Sequence, residues 1–357
     1  MNTGFWQGRR VFITGHTGFK GSWLSVWLAN AGSHLVGYAL EPPTSPNLFD
    51  QARLEQHMVS LRADIRDGHA LADAMEEHQP EIVFHMAAQS LVRPSYIDPV
   101  GTYETNVLGL VHLFEAVRRT QSVRVVINVT SDKCYENRET FRGYREEDPM
   151  GGFDPYSCSK GCAELVTASY RKAFFQSSTT ESTKVALASV RAGNVIGGGD
   201  WTPDRLIPDV IKAMMANQPI QIRNPHAVRP WQHVLEPLSG YLLLAEKLWH
   251  HGHPYAQGWN FGPDDDDAVP VAEVVTRLSS LWGSHTPWSQ QSGHHPHEAH
   301  HLHLDCAKAR LMLGWHPRWS LQRGLTATVA WFQGYQNGVD LHQLCCQQIA
   351  EYVQTRS

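Results

Sequence analysis

Two short segments in the middle of the chain hold side chains that could carry proton-transfer chemistry. Ser131, Asp132 and Lys133 follow the apolar run VRVVINV, and Tyr156 and Lys160 lie in YSCSK. Residues four apart share one face of a helix, so the Tyr156 phenol and the Lys160 ammonium are expected side by side. Because an ammonium favours the phenolate, Lys160 is expected to lower the pKa of the phenol and make Tyr156 a base near neutral pH.

A glycine-rich turn lies between the first predicted strand and the first predicted helix. In TGHTGFKG, Gly15 allows a tight turn, and Gly18 and Gly21 admit a pyrophosphate to the helix N-terminus. The GxxGxxG spacing differs from the GxGxxG of simple dinucleotide-binding domains. The side chains of His16 and Lys20, inside the turn, are expected to contact ribose or phosphate, the alternative being exposed loop residues.

The residues after the second predicted strand indicate which dinucleotide is bound. An acidic residue about 20 positions beyond the turn usually holds the ribose of NAD. This chain has Tyr38, Ala39 and Leu40 there, and Glu41 follows slightly late. No arginine replaces the acid to hold the 2′-phosphate of NADP. The sequence therefore predicts NAD as the cofactor.

The elements that must position these residues alternate between short apolar runs and longer amphipathic segments. Helices are predicted from about Gly18, over 68–78, over 106–119, and from Tyr156 towards Phe175. The predicted strands include RRVFITG, HLVGYAL, EIVFHMAA, VRVVINVTS and KVALASVR. Strands that are apolar throughout are typical of a parallel sheet covered on both faces. The sequence predicts an α/β fold, a Rossmann-type doubly wound parallel sheet of six strands.

The alternation stops at the glycine-rich stretch RAGNVIGGGDW. Residues 1–192 are predicted to form the dinucleotide-binding domain, with a return segment at about 230–258 whose helix packs back on it. Residues 193–229 and 259–357 are predicted to form a smaller mixed α/β substrate lobe, which closes with two helices after Ser320. The two lobes would therefore be interleaved in sequence.

Composition excludes several classes of function. The 357 residues, 42% of them hydrophobic, suffice for a full core. A net charge of −5 provides no basic surface for nucleic acid. No stretch approaches the ~20 apolar residues of a membrane helix, and no targeting signal is recognised. A cytoplasmic protein without nucleic-acid or membrane partners is expected.

No metal site is predicted. The six cysteines lack metal-type spacing and fit reduced thiols. The segment GHHPHEAHHLHLD could bind metal adventitiously, but a histidine-rich loop is the favoured interpretation, because a zinc site needs fixed ligand spacing and supporting partners. Its histidines are His294, His295, His297, His300, His301 and His303.

These motifs together resemble the extended short-chain dehydrogenase/reductase family of nucleotide-sugar enzymes over nearly the whole chain. The matching positions are Gly15, Gly18, Gly21, Asp64, 85–89, Asn106, Ser131, Tyr156, Lys160 and Asn194. The resemblance implies an NAD cofactor, a nucleotide-sugar substrate and a homodimer joined by the helices at 106–119 and 156–175. It also implies a role in deoxysugar synthesis for surface polysaccharide such as lipopolysaccharide.

The resemblance also implies residue roles. Tyr156 would deprotonate the sugar 4-hydroxyl while hydride leaves C4 for NAD, with Lys160 and either Ser131 or Thr130 assisting. Asp64 and Ile65 would flank the adenine, and Asn194 would touch the nucleotide sugar. The implied cofactor contacts are Gly15, His16, Gly18, Phe19, Lys20, Gly21, Asp64, Ile65, Ala87, Ala88, Gln89, Asn106, Tyr156 and Lys160.

The Ser131-Asp132-Lys133 triplet departs from the Thr-Asp-Glu of family members that dehydrate dTDP-glucose. With GHTGFKGSWL and RPWQHV, it is similar to family members that act on CDP-glucose, which implies CDP-glucose as substrate. Once C4 is a ketone, Asp132 would protonate the leaving C6 hydroxyl and Lys133 would remove the C5 proton. Lys133 must then be neutral, which burial or the charge of Lys160 would favour. How the two residues divide these roles stays open.

Arginines and tryptophans are candidates to bind the nucleotide. Arg229 in VRPWQHV and Arg205 in DRLIP would clamp the diphosphate, because guanidinium matches phosphate oxygens, and Arg93 in LVRPS is a further candidate. Trp201 or Trp231 would stack on the pyrimidine, or else pack in the core.

Other interpretations stay open. A nucleotide-sugar 4-epimerase would need only Ser131, Tyr156 and Lys160, and Asp132 and Lys133 would then be an ion pair at a strand end. A dehydratase for another nucleotide sugar is the second alternative. A regulatory protein that senses nicotinamide without turnover is disfavoured, because such proteins tend to lose the tyrosine and lysine that this chain keeps.

Overall fold

The computed structural model describes residues 3–140, 142–176, 185–283, 287–291 and 302–355. The strands are β1 (Arg10–Thr14), β2 (His34–Ala39), β3 (Val59–Arg62), β4 (Ile82–His85), β5 (Val125–Val129), β6 (Ala186–Ala192), β7 (Asn194–Ile196), β8 (Ile220–Ile222), β9 (Val228–His233), β10 (Gly258–Phe261), β11 (Ala268–Pro270) and β12 (Trp288–Gln290).

The α-helices are α1 (Thr3–Trp6), α2 (Phe19–Asn30), α3 (Leu48–Gln51), α4 (Gly68–His78), α5 (Val92–Ile97), α6 (Pro99–Tyr103), α7 (Gly109–Arg119), α8 (Pro155–Tyr170), α9 (Leu206–Met215), α10 (Leu235–His251), α11 (Val271–Trp282), α12 (Leu321–Gln336) and α13 (Leu341–Gln354). One π-helical segment, Glu104–Leu108, joins α6 to α7, and another, Arg171–Phe175, extends α8. The long helices predicted at 106–119 and from Tyr156 are therefore present with π-helical turns.

The main sheet has seven parallel strands in the order β10-β6-β5-β4-β1-β2-β3. Strands β4, β5 and β6 are buried along their whole length, as expected for a parallel sheet with helices on both faces. The predicted Rossmann-type fold is confirmed. The sheet has seven strands instead of the predicted six: the runs named above match β1, β2, β4, β5 and β6, and β3 and β10 form the two edges.

The strand order reverses between β1 and β4. From β1 the chain builds β2 and β3 on one side, and it then crosses over to build β4, β5 and β6 on the other. In open α/β sheets, ligands bind at such a switch point, beyond the carboxyl ends of the strands. The glycine turn after β1 and the Ser131-Asp132-Lys133 triplet after β5 both open at this edge.

The later part of the chain contributes to both regions. A three-stranded sheet (β11-β9-β7) and a two-stranded sheet (β12-β8) accompany α9, α11 and α12. Helix α10 packs on β5 and β6, and α13 packs on α2. The last third of the chain therefore contributes β10 to the edge of the main sheet and α13 to the helices packed beside α2. None of the described helices is long and apolar enough to span a bilayer.

Candidate active site

A cavity of about 1090 Å³ lies beyond the carboxyl ends of β1, β4 and β5 and reaches the smaller sheets. Ligand pockets typically measure about 300–1,000 Å³, so this cavity lies just above the upper end of that range. Gly18, Ser131 and Tyr156 line it from the main sheet, and Asn194 and Arg229 line it from β7 and β9. Residues from distant parts of the sequence therefore share one chamber.

The glycine turn is packed so tightly that side chains would not fit at two of its positions. Gly15 has a φ of 76°, and a Cβ there would lie 2.7 Å from the Ala87 nitrogen. A Cβ at Gly21 would lie 2.1 Å from the Gly15 oxygen. Gly18, in contrast, faces the cavity, where a Cβ would meet only the Gly15 oxygen at 3.4 Å. The backbone at the start of α2 is thus open to a pyrophosphate.

The His16 side chain does not lie where a contact with ribose or phosphate would require it. The imidazole is fully buried behind the turn, where Nε2 hydrogen-bonds with Ser60 Oγ at 2.7 Å and the ring packs against Phe49 and Gly37. Burial, together with the charge of Arg62, lowers the pKa of His16 to about 3. The neutral ring supports the turn from behind and does not line the cavity, because the glycine at position 37 leaves space for it there.

Lys20 extends from the first turn of α2 into the cavity. Burial, together with the charges of Arg205 and Lys160, lowers the pKa of Lys20 to about 8, and the Asp132 carboxylate opposes this shift. These charges place the ammonium near the triplet after β5, closer to the reacting groups than the predicted phosphate contact implied.

The triplet after β5 forms a short 3₁₀ turn, Asp132–Cys134, capped by Ser131. The Ser131 hydroxyl accepts a hydrogen bond from the Lys133 nitrogen at 3.2 Å and donates to Asp132 Oδ1 at 2.9 Å. Ser131 thus holds the Asp132 carboxyl, and both residues line the cavity together with Lys133 and Tyr156.

Helix α8 presents Tyr156 and Lys160 to this triplet. Asp154 caps the helix by accepting from the Ser157 nitrogen at 2.9 Å, and Pro155 occupies the first position, where its lack of an N–H costs nothing. The Tyr156 nitrogen donates to Ser95 Oγ on α5 at 3.1 Å. The phenol and the ammonium both line the cavity, as the four-residue spacing predicts.

Burial sets the proton affinities of the reacting groups. It raises the pKa of Tyr156 to about 12, and the hydrogen bond with Ser131 only partly offsets it. The net shift is opposite to the predicted lowering, because desolvation of the phenolate dominates. Burial likewise lowers the pKa of Lys160 to about 8. The pKa of Asp132 is raised by burial against the charges of Lys133 and Lys20, which favours the protonated acid.

A buried ion pair anchors α8 beneath the cavity. Arg191, on β6, donates from Nε and Nη2 to the two carboxylate oxygens of Glu164 at 2.9 and 2.8 Å, and both side chains are only 4% exposed. Thr130 Oγ1 donates to Glu164 at 2.5 Å, and Ser189 Oγ donates at 2.7 Å. Thr130 Oγ1 thus donates to Glu164 and Ser131 Oγ to Asp132, and both residues line the cavity. Glu164 lies four residues beyond Lys160, a spacing that could have identified it from the sequence.

Arg191→Met is expected to lower the free energy of unfolding by about 3–5 kcal/mol, because it leaves the Glu164 carboxylate buried without its cation. Urea unfolding followed by circular dichroism measures this. Arg138→Met is the matched control, because it removes the exposed Arg138–Glu136 pair, 64% and 49% exposed, and is expected to change nothing measurable. Equal stability of Arg191→Met and the parent protein would contradict this account of the network.

Asn106 and Gln89 support the cavity wall without lining it, which differs from the cofactor contacts predicted for them. Asn106 Oδ1 accepts from the Gln89 nitrogen at 2.9 Å, and Nδ2 donates to the Gln89 oxygen at 2.9 Å and to Ser159 Oγ at 2.8 Å. Buried polar groups are normally hydrogen-bonded, and the Asn106 amide uses its oxygen and nitrogen on Gln89 and Ser159. Asn106 therefore connects the loop after β4 to α8.

Other predicted cofactor residues lie in the cavity wall: Phe19, Asp64, Ile65, Ala87 and Ala88. Asp64 accepts from Arg66 Nη2 at 2.6 Å, and this hydrogen bond lowers the pKa of Asp64. Glu41 also lines the cavity, and its carboxylate accepts from Arg62 Nε at 3.0 Å. An acidic side chain is therefore present at the end of β2, where a ribose needs one.

Four arginines line the opposite part of the cavity. Arg205 Nη1 pairs with Asp200 at 3.3 Å, and Arg229 Nη1 donates to the Val228 carbonyl at 3.0 Å. Arg93 is the third, and Arg223, after β8, was not predicted because no motif surrounds it. Of the two tryptophans, Trp231 lines the cavity, whereas Trp201 packs in the core against Phe332 and Tyr335.

The histidine-rich segment lies mostly outside the described residues, which omit 292–301. Within the described ranges, no group of three or more histidine, cysteine, aspartate or glutamate side chains is arranged to hold a metal ion.

Comparison with known proteins extends over the whole chain. A family model described as GDP-mannose 4,6 dehydratase matches residues 12–328. The chain is 54% identical over 353 residues to the CDP-glucose 4,6-dehydratase of Salmonella typhimurium (strain LT2), and the match covers 99% of this chain and 98% of that protein.

Solved structures match the fold. The dTDP-glucose 4,6-dehydratase of Bacillus anthracis in complex with NAD matches with a TM-score of 0.76 at 20% identity, covering 94% of this chain and 100% of that one. The UDP-glucose 4-epimerase of Thermotoga maritima with UDP-glucose matches with a TM-score of 0.79 at 20% identity, covering 91% and 99%. The family match and the predicted motifs agree, and the chain belongs to the GDP-mannose 4,6 dehydratase family of extended short-chain dehydrogenases/reductases.

Proposed function

We propose that this protein is an NAD-dependent CDP-glucose 4,6-dehydratase, which converts CDP-D-glucose to CDP-4-dehydro-6-deoxy-D-glucose and water. The observation that carries the proposal is that Ser131, whose hydroxyl donates to Asp132, lines one cavity together with Asp132, Lys133 and Tyr156. An oxidation at C4 uses the tyrosine alone, whereas a following elimination needs both an acid and a base. The 54% identity to a CDP-glucose 4,6-dehydratase supports the substrate.

The cavity fits NAD at the glycine turn. The pyrophosphate would lie at the start of α2 over Gly18, the adenine beside Asp64 and Ile65, and the ribose near Glu41. When bound beside these residues, NAD would supply a hydride acceptor for C4 of the sugar and, once reduced, a hydride donor for C6, so the reaction would have no net redox change. Lys20 and Lys160 would contribute positive charge near the bound dinucleotide.

The side chains of this protein would move the protons. Tyr156, as the phenolate that the nearby Lys160 ammonium favours, would take the proton of the 4-hydroxyl, with Ser131 beside it in the cavity. Lys133 would remove the C5 proton, which is acidic beside the C4 ketone. Asp132, whose pKa is raised by burial, would deliver a proton to the leaving C6 hydroxyl. Asn194, Arg205 and Arg229 would hold the nucleotide sugar.

A homodimer and a cytoplasmic location belong to the same proposal. Apolar side chains are exposed on neighbouring helices of the first half, among them Ile97 at 86%, Val100 at 66% and Leu165 at 62%. Such a patch on α5, α6 and α8 is suited to a second copy of the chain. All six cysteines are free thiols, which suits a reducing compartment.

NAD binding at pH 8 is expected to take up protons. Lys20 and Lys160 each have a pKa of about 8, so both are partly deprotonated there, and an anionic ligand raises both values. His16 and His85, with pKa lowered to about 3, stay neutral and contribute nothing. Calorimetry in two buffers of different ionisation enthalpy measures the uptake, which should vanish two pH units lower. Proton release at pH 8, or no exchange there, would contradict the assignment.

The proposed function is tested by incubating the protein with NAD and, separately, CDP-glucose, dTDP-glucose, UDP-glucose and GDP-mannose, followed by mass spectrometry. Loss of one water from CDP-glucose alone is expected. Loss from another sugar would discard the cytosine preference and keep the elimination. An epimer of unchanged mass would contradict the dehydratase and support an epimerase.

A further inference from the structure

An ion-pair cluster at the mouth of the cavity connects α5 to the loop before α9. Arg93, on α5, donates from Nη1 to Asp204 Oδ1 at 3.0 Å. Arg223 places Nη2 3.7 Å from the same carboxylate oxygen and donates to the Asp204 carbonyl at 2.9 Å. All three residues line the cavity. One carboxylate therefore bridges two guanidinium groups that face the space for the nucleotide sugar.

The backbone holds the Asp204 carboxylate in this bridging position. Asp204 has a φ of 62°, in the left-handed region that aspartate and asparagine tolerate better than other side chains. The next residue, Arg205, pairs with the buried Asp200 at 3.3 Å and donates to Ser90 Oγ at 3.4 Å. The loop is thus anchored beside Asp204 to both sides of the cavity.

The carboxylate is a weak partner for these arginines compared with a diphosphate. The Asp204 side chain is 48% exposed and that of Arg93 is 37% exposed, so water screens their attraction. A diphosphate carries more negative charge, and its oxygen pairs match the guanidinium fork. Exchange of the carboxylate for a diphosphate is therefore favourable, although the broken ion pairs subtract from the binding free energy.

We propose that Asp204 is an internal counter-ion of Arg93 and Arg223, which the diphosphate of the nucleotide sugar displaces on binding. The inference rests on the proposed function, because it takes a nucleotide diphosphate as the ligand. Displacement makes Asp204 a competitor of the substrate for the two arginines. This competition keeps the affinity for substrate below the affinity that the arginines alone would give. It also helps the nucleotide product to dissociate.

Asp204→Asn tests the competition, because it removes the charge and keeps a side chain that tolerates the left-handed backbone. Titration calorimetry with CDP is expected to show binding about two- to fivefold tighter than that of the parent protein. If the contacts of Asp204 only supported the structure of the loop, their loss in Asp204→Asn would weaken CDP binding instead. Asp204→Gly, which also suits the backbone, is expected to tighten it likewise. Unchanged or weaker CDP binding in both variants would overturn the proposal.

Asp264→Asn is the matched control for a general change in charge. Asp264 is an exposed aspartate paired with Arg310 at 2.7 Å and lies outside the cavity lining, so its loss should leave CDP binding unchanged. Titrations with inorganic pyrophosphate separate this inference from the proposed function. Tighter pyrophosphate binding by Asp204→Asn would support the counter-ion even if CDP-glucose were not turned over. Turnover of CDP-glucose by the parent protein without tighter binding in the variants would overturn the counter-ion alone.

Discussion

Tyr156→Phe is expected to slow turnover of CDP-glucose about a thousandfold, within the range that general acid–base groups contribute. The phenolate of Tyr156 is the group that would take the 4-hydroxyl proton, and phenylalanine has no oxygen to accept it. The first chemical step would fail, so no NADH should form. Stopped-flow absorbance of the reduced nicotinamide, with enzyme in excess over substrate, measures this step directly.

Tyr170→Phe is the matched control for Tyr156→Phe. Tyr170 is the last residue of α8, and its hydroxyl donates to Glu115 at 2.8 Å, away from the cavity. Its loss should leave turnover unchanged. NADH formation by Tyr156→Phe at the parental rate would contradict the assignment of the phenol as the C4 base.

Lys133→Met is expected to slow product formation about a thousandfold, while the oxidation at C4 continues. Tyr156 and Ser131 remain in place, so hydride can still leave C4, but the C5 proton then has no base. The bound sugar should accumulate as the 4-ketone, with NADH trapped on the enzyme. Absorbance of NADH together with mass spectrometry of the quenched sugar distinguishes this block from a failure to bind.

Lys133→Arg is the control that separates charge from basicity. Arginine keeps the positive charge that acts on Asp132, but it stays protonated and cannot remove a proton. It should therefore block elimination as methionine does. Normal turnover by either variant would remove Lys133 from the base role and leave it as an ion-pair partner of Asp132.

The main sheet could be predicted because its central strands are buried on both faces and therefore read as apolar runs. The two edge strands, β3 and β10, could not be predicted in this way. β3 has four residues and is only partly buried, and β10 follows about 65 residues after β6, so neither continues the alternation that reveals the others. The return of α10 to the sheet was visible from its apolar face, whereas the docking of α13 on α2 depends on tertiary contacts.

The triplet and the tyrosine–lysine pair could be placed from sequence because strand ends and helical spacing fix them locally. The direction of side chains around them could not be read in this way. His16 lies behind its turn because the residue opposite, Gly37, has no side chain, a pairing that only the fold reveals. The pKa of Tyr156 was predicted with the wrong sign because the extent of burial is not visible in a four-residue motif.

The arginine cluster shows a third reason for incomplete prediction. Arg93 and Arg223 are 130 positions apart in the sequence, and the aspartate that bridges them is the first residue of DRLIP, a segment from which only the arginine was predicted to act. Charges of this kind are recognised only when the chain brings them to one cavity. The diphosphate candidates predicted from motifs, Arg205 and Arg229, line the same wall, so the motifs identified the region and missed its internal counter-ion.

The most direct test of the proposed reaction follows one hydrogen atom. CDP-glucose carrying deuterium at C4 is incubated with the protein and NAD, and the product is examined by mass spectrometry and NMR. A dehydratase that uses Tyr156, Asp132 and Lys133 as described should give a product lighter by one water, with the deuterium now on C6. Recovery of the deuterium at C4 in a sugar of unchanged mass, or its loss to solvent, would contradict the transfer of hydride from C4 to C6.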